Sequence, residues 1–129
     1  MTVLVGYVPT PEGDAAFAAG LAEAVRRAED LVVLNSPRGG AVVSADVAAP
    51  EVIDRLTADA AAASVSLTVR QDAHADDLAD AVVRVADELS VSVIVIGIRR
   101  RSAVGKLLLG SSAQRILLDA NRPVLAVKP

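Results

Sequence analysis

Between Gly97 and Ser112 the chain collects the groups that bind anions. Arg99, Arg100 and Arg101 follow Gly97, which ends an apolar run, and Lys106 follows a second glycine, Gly105. The segment then turns helical at Gly110-Ser111-Ser112. A guanidinium group suits the two-point geometry of a phosphate. A helix start adds unpaired N–H groups and the positive end of the helix dipole. Glycine lets a phosphate approach the backbone, and Ser111 or Ser112 can donate a hydroxyl or cap the helix. Phosphate is the natural occupant. The same residues also fit a plain serine cap beside a solvated arginine loop, and three successive arginines cannot all point one way.

Other chemistry finds little support. Gly105-Lys106 is close to a phosphate loop, but Leu107 stands where Ser or Thr would hold magnesium, and Gly97 is too far upstream. Gly110-Ser111-Ser112-Ala113-Gln114 lacks the glycine that a nucleophile elbow needs. The absence of cysteine removes disulfides and thiolate chemistry, and one histidine, His74, cannot build a multi-histidine metal site. His74 lies in an acidic stretch and reads as solvated. No carboxylate pair or Ser/His/Asp set suggests a reaction, so no enzyme is expected.

A chain of 129 residues suits one domain, residues 1–129, with a sizeable core. Apolar residues make up 53% and aromatic residues 2%, so that core must be Ala, Val, Leu and Ile. A net charge of −3 argues against non-specific nucleic-acid binding. No apolar run reaches the roughly 18 residues of a membrane span. The opening MTVLVGY has no basic region and no cleavage site, so a cytoplasmic protein is expected.

Five β-type runs are expected at Val3–Tyr7, Leu31–Asn35, Val65–Val69, Val91–Gly97 and Val124–Lys128. Four are nearly continuous in apolar residues, as in strands covered on both faces. The third alternates Val65, Leu67 and Val69 with Ser66 and Thr68, as an edge strand would. Helical spacing fills the gaps through Phe17, Leu21, Ala24 and Ala28, then Val52, Ile53, Leu56 and Ala60. It continues through Leu78, Val82, Val85 and Leu89, then Ala113, Ile116, Leu117 and Ala120. Asn121 and Pro123 mark the last stop. Alternating strands and helices predict a doubly wound five-stranded parallel α/β sheet with helices on both faces. Residues 36–48, with Pro37 and two glycines, read as an exposed loop. Ligands of such sheets bind beyond the carboxyl ends of the strands, where strand order reverses.

VIVIGIRRRSAVGKLLLGSSAQRILLDANRPVLAVKP, from Val93 to Pro129, resembles the C-terminal half of a universal stress protein. Nucleotide-binding members of that family carry G-x2-G-x9-G-[S/T] after the fourth strand. Here the first glycine falls on Gly97 and the final pair on Gly110-Ser111. VLVGYVPTPEGDAAF and LVVLNSP are similar to the family's opening and second strand, so the resemblance covers essentially the whole chain, weakly from Ser36 to Asp72. It implies a Rossmann-like, adenine nucleotide alpha hydrolase-like domain that forms a homodimer, here through the Val124–Lys128 strand, and serves the stress response.

The resemblance also implies ATP or AMP as ligand, with magnesium only alongside ATP. Carried over by position, Tyr7, Val8 and Ser36 would meet base and ribose. Gly97, Arg99 and Arg100 would line the loop, and Gly110, Ser111 and Ser112 would hold the phosphates. Two departures stand out: Arg100 replaces the second motif glycine, and Val8 replaces the acidic residue that usually ends the first strand. Arg100 either pairs with phosphate or fills the pocket. The alternative is a dimeric interaction protein that Val8 and Arg100 have made independent of nucleotide, with a protein partner or an anionic metabolite at the arginine loop. Related sheets include hydrolases and ligases, but slow ATP turnover is the most that this sequence supports.

Overall fold

The apolar runs form strands and the helical stripes pack across them. A computed structural model describes residues 1–36, 48–72, 78–99 and 109–129. The interior of the expected 36–48 loop, His74, Arg100, Arg101, Gly105 and Lys106 lie outside the described residues. The elements are β1 (Thr2–Gly6), α1 (Pro11–Arg27), β2 (Asp30–Leu34), α2 (Pro50–Ala62), β3 (Leu67–Arg70), α3 (Leu78–Leu89), β4 (Val93–Gly97), α4 (Ser111–Asp119) and β5 (Val124–Val127). The strands are parallel, in the order β3-β2-β1-β4-β5. Strand order reverses between β1 and β4, which places the crevice there.

Alternation along the strands divides the core into two layers. Val3, Val5 and Tyr7 pack with Ala16, Phe17, Ala24 and Leu56 of α1 and α2. Leu4, Ile94 and Ile96 pack with Val82, Val85 and Ile116 of α3 and α4. The expected edge strand, β3, is an edge, with its side chains half-buried or exposed. β5 is the other edge and is only partly covered.

Strand bounds shift where helix ends claim residues. Val65 and Val91 do not begin strands: their N–H groups bond to Ala60 O at 2.9 Å and Ala86 O at 3.1 Å, closing α2 and α3. Ser64 and Ser90 take left-handed φ of 57° and 50° to make these closures. Ala28 does the same at the end of α1, with φ 54°, and is exposed rather than on the apolar stripe. Leu117 is also exposed, because Ile116 is the α4 residue that faces the core. Ser36 and Ala48, expected in an exposed loop, are buried.

Two glycines let α1 lie directly on the sheet ends. A Cβ on Gly13 would stand 1.7 Å from Val8 O, and one on Gly97 would stand 2.0 Å from Glu12 O. The first turn of α1 is thereby seated between β1 and β4. Thr10 caps that turn, accepting from the Gly13 N–H at 3.1 Å, and Pro11 occupies the first helical position.

Candidate functional site

A cavity of about 100 Å³ opens at the β1/β4 crevice. Gly6, Val8, Leu34 and Ile96 line it from the strand ends, and Leu78 and Ile116 from α3 and α4. Glu12, Gly97 and Ser112 stand at its polar side. The lining is mainly apolar, which suits a flat ring better than a fully hydrated ion.

The start of α4 borders this cavity. Gly110 is the N-cap, with φ −61° and ψ 157°, and no side chain caps the helix. Ser111 and Ser112 are therefore the first helical residues and not the cap. Their N–H groups belong to the set that a helix cannot satisfy internally. Gln114 bonds locally, from its N–H to Gly110 O at 3.1 Å and from Nε2 to Leu109 O at 3.0 Å. Among the described residues, nothing lies within 4 Å of where a Gly110 Cβ would be. Ser112 lines the cavity, while Ser111 is exposed.

The other expected residues divide. Val8 and Gly97 line the cavity, and Arg99 is exposed beyond β4. Arg100 lies outside the described residues. Gly97 has a packing reason of its own, the close seat of α1, independent of any ligand. Tyr7 contributes to the wall, but its ring belongs to the α1–α2 layer. There its hydroxyl donates to Asp14 Oδ1 at 2.8 Å, and Arg55 donates to the same oxygen at 3.0 Å. Burial and then the bonded Asp14 carboxylate push the Tyr7 hydroxyl up to about 12. Ser36 is not in the lining, and its hydroxyl donates to Asp72 O.

Sequence reasoning missed Asn35. It is buried at the end of β2, where Nδ2 donates to Tyr7 O at 3.0 Å. Its Oδ1 accepts from the Ala48 N–H at 2.9 Å and from Gln71 Nε2 at 3.0 Å. One amide thus joins the ends of β1, β2 and β3 to the approach to α2. A polar residue closing an otherwise apolar strand was the available signal. Beside it, Arg70 holds the Asp72 carboxyl below its ordinary value through bonds of 3.1 and 2.5 Å.

Residues 1–128 match the model of the universal stress protein family. The chain belongs to this family. A universal stress protein of Mycolicibacterium smegmatis is 41% identical over 127 residues, covering 98% of this chain and 97% of the relative. A universal stress protein from Archaeoglobus fulgidus superposes with a TM-score of 0.84 at 29% identity, covering 99% of this chain and 98% of that one. Another structure from that organism, a complex with dAMP, has a TM-score of 0.75 at 21% identity, covering 99% and 98%. A universal stress protein in complex with cAMP has a TM-score of 0.71 at 20% identity, covering 99% and 96%. This universal stress protein has the five-stranded parallel sheet of the structures it matches, and its own strand order places the crevice between β1 and β4. Among its described residues, no helix is long and apolar enough to cross a membrane.

Proposed function

We propose that this universal stress protein binds an adenine nucleotide, ATP or AMP, and acts as a regulatory module by binding rather than by catalysis. The observation that carries the reading is the uncapped start of α4 opening beside an apolar cavity, with Ser112 common to both. The cavity suits the base, and the first N–H groups of α4, which a helix cannot satisfy internally, suit a phosphate. Relatives of the same fold crystallised with dAMP and cAMP support it. Among the described residues no three His, Cys, Asp or Glu side chains stand together as a metal site.

Calorimetric titration with ATP and AMP tests the reading, with saturable binding between micromolar and millimolar expected. Gly110→Val should abolish it while leaving the fold intact, because no described residue lies within 4 Å of the added Cβ. A flat trace at millimolar nucleotide would retire the reading.

A homodimer through β5 belongs to the same proposal. Pro123 O and Val127 O accept from β4, so the intervening Val124 and Ala126 direct their N–H and C=O groups outward. Leu118 of the adjoining helix is 82% exposed. Light scattering should give twice the chain mass; a monomer at high concentration would contradict it. A second reading, an interaction protein independent of nucleotide, is favoured by one observation. Among the described residues, no basic side chain lines the cavity.

A further inference from the structure

The cavity carries one ionised side chain among its described lining residues, and it is acidic. Glu12 is partly buried at the second position of α1 and faces the cavity. Its side chain starts directly above the end of β4: a Cβ on Gly97 would stand 3.0 Å from the Glu12 Cβ. Among the described residues, no hydrogen bond or ion pair engages its carboxylate. This contrasts with Asp14, two residues on, which is bonded by both Tyr7 and Arg55 on the other side of the sheet. A carboxylate left unpartnered at a cavity wall wants a donor from what enters it.

Strand order sets which part of a nucleotide laid in the crevice would lie beside Glu12. Across the crevice the lining runs from Leu34 of β2, over Gly6 and Val8 of β1, to Ile96 and Gly97 of β4 and then Ser112 of α4. A nucleotide laid along it with its base on the apolar end and its phosphate at α4 puts the sugar beside Gly97, under Glu12. The Val8 side chain offers no acceptor at that level, and its carbonyl already accepts from the Thr10 N–H at 2.8 Å. We propose that Glu12 is the sugar-binding residue, accepting hydrogen bonds from the ribose 2′- and 3′-hydroxyls. The first turn of α1 thus supplies the carboxylate that the end of β1 lacks. This assignment rests on the nucleotide reading above. The competing role is general: an acid in a first turn complements the helix dipole, which would affect stability and leave ligand choice untouched.

The test is calorimetric titration of AMP and 2′,3′-dideoxy-AMP into the wild-type chain, Glu12→Ala and Glu12→Gln. Circular dichroism checks that each variant is folded. The wild type should prefer AMP by about tenfold to a hundredfold, the loss expected for charge-assisted bonds. Glu12→Ala should erase that preference without weakening dideoxy-AMP, and Glu12→Gln should keep part of it. A wild-type preference that persists in Glu12→Ala overturns the assignment and leaves the nucleotide reading standing. So does tighter binding of both ligands by Glu12→Ala, since the carboxylate would then only repel phosphate. No saturable heat from either nucleotide with the wild type overturns both.

Discussion

Replacing Gly97 with alanine separates a packing role from a ligand role. The added Cβ would lie 2.0 Å from Glu12 O, 2.5 Å from Glu12 C and 3.0 Å from Glu12 Cβ. Carbon and carbonyl oxygen rarely approach closer than about 3.3 Å, so the first turn of α1 must retreat by about 1 Å or more. The obstacle is backbone held by the Thr10 cap and by the seat of Gly13 on Val8, so it cannot rotate away. Overpacking of this kind costs about 1–3 kcal/mol. For a chain of this length that corresponds to a melting point lower by roughly 3–15 °C. Gly110→Ala is the matched control, because no described residue lies within 4 Å of its Cβ and φ is ordinary. Its expected loss is within about 1 kcal/mol, the scale of an N-cap change. Thermal unfolding followed by circular dichroism measures both. Equal melting points for the two variants would refute the seating of α1 on Gly97.

Tyr7 is the sole tyrosine and the chain has no tryptophan, so absorbance near 295 nm reports its ionisation alone. The titration should be displaced from the ordinary value to about 12, and Asp14→Asn should lower it by removing the bonded carboxylate. A midpoint near 10 in the folded wild type would contradict the bond from the buried Tyr7 hydroxyl to Asp14. Arg70 depresses Asp72, so the unfolded chain takes up this proton first as pH falls. Its stabilisation is present above about pH 4, the unfolded value, and is lost progressively on acidification through the depressed folded value. Urea denaturation should show a steeper acid loss for the wild type than for Asp72→Asn, and parallel curves would count against the pair.

The two-layered sheet is legible because its signal is local and redundant. Near-continuous Val, Ile and Leu runs mark β1, β2 and β4, and the Ser66/Thr68 alternation marks β3 as an edge. Helix ends were harder to read. Ala28, Ser64 and Ser90 adopt the left-handed closure that a glycine would announce, so apolar pattern alone places Val65 and Val91 in strands. Half of the site was visible for the same reason as the fold: Gly110-Ser111-Ser112 follows a glycine-punctuated loop, and a helix start has fixed chemistry. The rest depends on side-chain direction. Tyr7 and Val8 are neighbours in sequence, yet one ring joins the α1–α2 layer while the other residue faces the cavity. Spacing alone does not reveal that Arg55 reaches Asp14 across 41 residues, or that Asn35 binds three strand ends together. Glu12 escaped notice because an acid in a first turn already has an ordinary explanation.

A crystal structure of the protein grown with excess AMP examines the central claim most directly. The nucleotide should place its base on Val8, Leu34 and Ile96, with its phosphate oxygens within hydrogen-bond distance of the Ser111 and Ser112 N–H groups. Density for a protein side chain filling that corner, or AMP bound elsewhere with the α4 start facing only water, would contradict it.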